Sequence, residues 1–188
     1  MRKLILSLQM SLDGVASDPE KWMTLSDEIL ESAIAYYDTL DAILVGGNSY
    51  AGLADYWQQA EPNFGSETER RFARKINDIK KIVFSRSPMD LTWQHSEQLF
   101  FDDTDSLAQQ IQQLKNSDGK NISVESGLKS WQLFLKLNLF DELVLGVHPV
   151  VAGQGEKLFA DTEAQLPLQL ITSKVYQNGV VELHYQKG

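Results

Sequence analysis

Short apolar strands alternate with amphipathic helices along most of the chain. Residues 3–10 (KLILSLQM) read as a strand that ends in the turn dipeptide Asp13–Gly14. Residues 26–38 open on Ser26, place Asp27, Glu28 and Glu31 in the first turns, and carry Ile29, Leu30, Ala33, Ile34 and Tyr37 at helical spacing. The run Asp41-Ala-Ile-Leu-Val, stopped by Gly46–Gly47, is a buried strand. Residues 66–78 form a basic amphipathic helix with Phe72, Ile76 and Ile79 inward, and it feeds a strand over 80–85 (KKIVFS). A helix over 104–116 (Leu107, Ile111, Leu114) turns at Asp118–Gly119 into a strand over 121–125. Gly127 precedes a helix bearing Trp131, Leu133, Phe134 and Leu137, and residues 141–151 form another apolar strand. Asn178–Gly179 lies between LQLITSKVY and VVELHYQ, a strong hairpin signal. The pattern predicts a three-layer α/β domain with a mixed, mostly parallel sheet, helices on both faces and a C-terminal antiparallel hairpin.

Composition narrows the chemistry. A chain of 188 residues with 4 Trp and 8 Phe suffices for one well-filled domain, here taken as residues 1–188. It has no cysteine, which removes disulfides, thiolate catalysis and Cys-ligated metals and fits the cytoplasm. His95, His148 and His184 have no paired spacing, so no metal site is expected. His184 is expected to face solvent or a partner, and His148, before Pro149, to mark a strand edge or bend. No apolar run approaches the ~18 residues that cross a bilayer, and the first residues lack the long apolar stretch of a secretion signal. The net charge of −9 disfavours nucleic acid and anionic membranes as partners. Seven of the 17 basic residues nevertheless fall within 70–86: Arg70, Arg71, Arg74, Lys75, Lys80, Lys81 and Arg86. They form either the solvated face of a helix or a basic edge that recruits a small anion.

Four strand ends carry small or polar residues: Ser11–Gly14, Gly46–Tyr50, Ser85–Ser87 and Glu125–Ser130. In open α/β sheets ligands bind at such ends, where glycine allows close approach and helix N-termini attract phosphate. None of the four is a complete dinucleotide or Walker loop, and strand-to-helix turns use Gly and Ser for shape alone.

The segments LSLQMSLDG, DAILVGGNSY, KIVFSRS and DELVLGVHPVVAGQGEKLF, in that order, resemble the dihydrofolate-reductase-like superfamily. Within it they are most similar to the C-terminal reductase domain of the bifunctional riboflavin-biosynthesis deaminase/reductase. The resemblance implies an eight-stranded mixed sheet, NADPH as hydride donor, a small planar heterocycle (pyrimidine- or pterin-like) as acceptor, and a homodimer. It assigns Gly46, Gly47, Asn48 and Ser49 to the cofactor's phosphates, and Ser85 and Arg86 to its 2′-phosphate side. Ser126, Gly127, Leu128 and Lys129, with Glu125 before them, match the turn under the pyrophosphate and nicotinamide. Met10 and Ala16 match the strand end and loop over the nicotinamide; Trp22 and Tyr50 fall toward the substrate. Asp13 and Asp27 are the expected acids, with Glu125 a third source of the proton. Asp13 also suits a turn, Asp27 a first helical turn, and Trp22 a plug on the core. Many dihydrofolate reductases carry Arg where Gly47 stands, and the carboxylate of Glu125 precedes Ser126–Gly127. These departures define the alternative, a small-ligand-binding or assembly protein that keeps the fold with a decayed cofactor site.

Overall fold

The computed structural model describes residues 1–63, 65–160 and 165–188. Its strands are β1 (Leu4–Ser11), β2 (Leu40–Gly46), β3 (Lys80–Ser85), β4 (Ser96–Phe100), β5 (Asn121–Val124), β6 (Glu142–His148), β7 (Leu168–Val175) and β8 (Val181–Lys187). They form one sheet in the order β4-β3-β2-β5-β1-β6-β8-β7. The first six run parallel, β8 is antiparallel to β6, and β7 closes the edge antiparallel to β8. The helices are α1 (Asp27–Tyr37), α2 (Gly47–Asn63), α3 (Glu67–Asp78), α4 (Thr104–Asn116) and α5 (Leu128–Lys136).

Side-chain alternation along each central strand divides the core in two. Ile5, Ile43 and Val83 pack with Leu30, Tyr37, Trp57 and Phe72 under α1–α3. Their strand neighbours Leu4, Leu6, Leu44 and Phe84 pack with Leu107, Ile111 and Phe134 under α4 and α5. This is the predicted three-layer arrangement. Ser26 caps α1, accepting from Ile29 N at 3.4 Å, and Ser66 caps α3, accepting from Glu69 N at 3.2 Å. At α4, Asp103 and Ser106 cap each other's backbone in a capping box. The hairpin turns through Gln177-Asn178-Gly179, with Gly179 at φ 85° and Tyr176 N donating to Val180 O at 2.9 Å. The left-handed residue of such a turn takes glycine without strain.

Two elements carry no sequence signal. Helix α2 begins on Gly47, and β4 buries only Leu99 of its five residues. The strand expected to run to 151 stops at His148, before Pro149.

Candidate active site

The carboxyl ends of β2, β3 and β5 are adjacent, and the loops leaving them enclose a slot of about 670 Å³. Gly46–Ser49 form one wall, Ser85–Ser87 a second, and Gly127–Ser130 a third. Ser126 Oγ accepts from Gly46 N at 3.0 Å and lies 2.8 Å from Ser130 Oγ; Ser49 Oγ accepts from Gly127 N at 3.1 Å. These bonds tie the first and third walls together. They also explain the glycines: a Cβ on Gly46 would strike Ser130 Oγ, and one on Gly127 would lie 2.9 Å from Ser49 Oγ. Gly127 is the N-cap of α5 and offers no capping side chain; Ser130 N donates to Gly127 O at 3.0 Å, and the N–H groups of Leu128 and Lys129 have no partner among the described residues and stay open to an anion.

Four charged residues line the slot, Arg86, Lys129, Asp103 and Glu156, and Asp103 also caps α4. Arg86 is exposed on its wall and makes no ion pair among the described residues. Lys129 is paired with Glu156, so it does not compensate Glu125. The other basic residues of the 70–86 cluster stay out of the slot. Arg71 pairs with Glu31 on α1 and Lys75 with Asp38 at its C-cap, while Lys80 pairs with Glu97. Lys81 is fully buried, donating to Ile76 O at 3.1 Å and to Asn77 O at the end of α3. Two of the helix's four basic residues, Arg71 and Lys75, are therefore matched by carboxylates, and Arg86 alone of the seven lines the slot.

A second cavity of about 620 Å³ lies between the sheet and α1–α2. It shares Ser17, Ser49, Gly127 and Leu128 with the slot, so the two spaces meet over the β5–α5 turn. Its walls are largely apolar, with Ile29, Ala33 and Tyr36 presenting one stripe of α1 and Trp57, Trp93 and Trp131 among the aromatics. Glu125 faces this cavity rather than the slot. Tyr36 OH donates to Ser123 Oγ at 2.9 Å, and Ser123 Oγ donates to Glu125 Oε1 at 2.6 Å. Burial pushes the Glu125 carboxyl up to about 7, outweighing the hydrogen bond from Ser123. Burial, with the charge of Glu125, holds the Tyr36 phenol well above its ordinary value, so it remains a donor.

Several expected residues stand elsewhere. Asp13 lines neither space. It accepts from Ser11 Oγ at 2.7 Å, Ala152 N at 2.9 Å and Gly153 N at 3.0 Å, and these bonds hold its carboxyl down to about 2. That is the reverse of what an acid near neutrality needs; Asp13 latches a loop. Asp27 is exposed and accepts from Ser66 Oγ at 2.5 Å, joining the starts of α1 and α3. Trp22 is buried edge-on to His148, its Nε1 donating to Ser17 O at 2.8 Å. Tyr50 is a core residue whose hydroxyl accepts from Trp93 N at 2.7 Å. Met10 packs against the core under α4 and α5, whereas Ala16 and Ser126 line the second cavity. His184, expected toward solvent or a partner, lines that cavity too and bonds Glu142 Oε2 at 2.9 Å. The Tyr36–Ser123–Glu125 chain went unread. Its available signal was the two-residue spacing of Ser123 and Glu125, which turns both to one face of β5.

Comparison with known proteins supplies the family. The model of the RibD C-terminal domain matches residues 2–182. The uncharacterized protein YyaP of Bacillus subtilis (strain 168) is 29% identical over 188 residues, spanning 98% of this chain and 94% of that protein. The putative riboflavin biosynthesis protein from Shewanella sp. PV-4 superimposes with a TM-score of 0.70 at 19% identity, covering 99% of both chains. The Thermotoga maritima diaminohydroxyphosphoribosylaminopyrimidine deaminase/5-amino-6-(5-phosphoribosylamino)uracil reductase gives 0.66 at 16% identity, over all of this chain and 57% of that one. Dihydrofolate reductase from Enterococcus faecalis, complexed with NADP(H), gives 0.62 at 12% identity over 99% of this chain and 96% of that one. The fold is dihydrofolate-reductase-like, and the chain belongs to the RibD C-terminal domain family.

Proposed function

We propose that this chain is an NADPH-dependent reductase that passes hydride to a small planar heterocycle held in the α1–α2 cavity. One observation carries the reading: the glycine- and serine-rich ends of β2, β3 and β5 converge on a slot that shares a wall with an apolar cavity containing a buried carboxyl. NADPH, when bound, supplies the hydride; the protein supplies orientation, dryness and a proton.

The residues present fit that cofactor. Gly46 and Gly127 keep the slot open where a Cβ would crowd the serines. The open N-terminus of α5 and the backbone of Gly47–Ser49 suit the pyrophosphate, and the free guanidinium of Arg86 suits the 2′-phosphate. Ser49 and Gly127, common to both spaces, mark the place where donor and acceptor meet. Glu125 holds a proton up to about pH 7, and the donor chain from Tyr36 through Ser123 keeps its carboxyl oriented. Asp13 and Asp27 take no part in this reading. It places the chain in the cytoplasm as a homodimer.

Titration with NADPH, followed by nucleotide fluorescence and by the thermal melt, tests the proposal. Cofactor at 100 times its Kd stabilises the fold by about 2.7 kcal/mol. Arg86→Ala is expected to weaken NADPH by roughly 10- to 100-fold, the loss of about 1.5–3 kcal/mol for charge-assisted hydrogen bonds, while NADH changes little. Equal effects on the two cofactors remove the 2′-phosphate assignment. No stabilisation by millimolar NADPH or NADH removes the reductase reading in favour of a decayed cofactor site.

A further inference from the structure

The charges around the acceptor cavity narrow what it admits. Its lining includes the carboxylates of Asp18 and Glu182 and the carboxyl of Glu125, and among the described residues lining it there is no lysine or arginine. Phe64 and residues 161–164, outside the description, include no basic residue either. Two lysines stand behind lining residues: Lys21 pairs with Asp18 at 3.1 Å, and Lys174 on β7 lies behind Ser32. The Lys174 amine donates to Ser32 Oγ at 2.6 Å and lies 4.5 Å over the Tyr176 ring, and it stands opposite Glu182 in the β7–β8 register. The Lys21 charge is matched by the Asp18 carboxylate, and the Lys174 amine is held by the Ser32 hydroxyl. His184 is turned to Glu142, which Lys3 also pairs.

A phosphate or carboxylate brought into such a space loses its hydration and meets like charge, with no guanidinium or ammonium to replace the water. An uncharged ring loses little, stacks on the aromatic walls, and can present N–H groups to Glu125 or accept from it. The Thermotoga reductase is named for a uracil carrying a phosphoribosyl group. From the cavity's charge pattern we infer that this chain takes a non-anionic nitrogen heterocycle, free of phosphate and carboxylate, and that its substrate differs in this respect from the one for which that relative is named. The inference rests on reading the α1–α2 cavity as the acceptor site.

Equilibrium dialysis of the full chain against pterin and pterin-6-carboxylate at neutral pH tests it, because the two probes share a ring and differ in an anion. Pterin is expected to bind at least tenfold more tightly. Equal affinity, preference for the carboxylate, or no retention of pterin at millimolar concentration overturns the inference. Leu25→Arg adds a cation at an exposed position on the cavity rim, where folding tolerates it, and is expected to reduce the preference at least threefold. An unchanged preference in that variant also counts against a charge-based selection. NADPH titration separates the two proposals. Loss of NADPH binding with pterin retained sinks the reductase reading alone; NADPH bound alongside a favoured carboxylate probe sinks the substrate class alone.

Discussion

Glu125 and Asp13 show how little a carboxylate's residue type says about its acidity. Both follow parallel strands, yet three donors hold Asp13 down to about 2 while desolvation lifts Glu125 to about 7. The lifted group ties stability to pH. Its folded value lies above its ordinary 4.5, so the folded state binds the extra proton, and the associated stability is fully present below about pH 4.5. It is lost as pH rises through about 7. Glu125→Gln, which keeps the shape without the ionisation, is expected to flatten that decline in urea-unfolding experiments across pH 4.5–7.5. The same variant is expected to lower reductase turnover by roughly 10²–10⁴ at pH 6 and to abolish the fall in rate above about pH 7. A decline in rate above pH 7 that survives in Glu125→Gln assigns the proton to another group.

Elements with strong periodic burial were legible from sequence, and those built from small or polar residues were not. β1, β2, β3 and β6 carry near-continuous apolar runs because helices cover both faces, and α1, α3 and α4 have serine or aspartate caps at their starts. Helix α2 escaped because Gly47 starts it and Pro62 ends it, although Tyr50, Ala54, Trp57 and Ala60 bury one face. At the edge, β4 buries only Leu99. The slot was partly legible, since glycines and serines at strand ends are local features. The cavity was not, because Tyr36 on α1, Glu125 after β5, and Glu182 and His184 on β8 come from three separated parts of the chain. Lys81 was counted as part of a basic surface, yet it opens β3 as a fully buried cap on the last carbonyls of α3, 4.6 Å over the Trp93 ring. Burial lowers its amine to about 8. Lys81→Met preserves the stem but leaves those carbonyls short of a donor, so it is expected to cost about 1–3 kcal/mol in urea unfolding at pH 7. A stability equal to that of the parent chain makes the cap dispensable.

At the scale of the whole molecule, the two sides of the sheet end differently. Helices cover β1, β2, β3, β5 and β6 on both faces, but none packs extensively on β7 or β8. Every residue of β8 is half-buried, and β7 is exposed beyond Leu168, with Leu170 at 50%, Ile171 at 46% and Val175 at 71%. Apolar side chains gathered on an uncovered hairpin are costly in water and are a usual seat of self-association. A register shift between Leu170 and Thr172 disrupts β7 as a pairing edge, so the hairpin's face is the better contact than a strand-to-strand junction. Two-fold symmetry would set one hairpin against another. The −9 charge on each copy opposes that contact at low salt. We therefore expect sedimentation to report a dimer at tens of micromolar, strengthened by raising the salt. Leu170→Lys combined with Val175→Lys, both at exposed positions, is expected to give a monomer with an unchanged far-UV spectrum. A parent chain that sediments as a monomer at every salt concentration rejects the dimer and leaves the slot, at the strand ends, and the cavity beside α1 and α2 as complete sites within one copy.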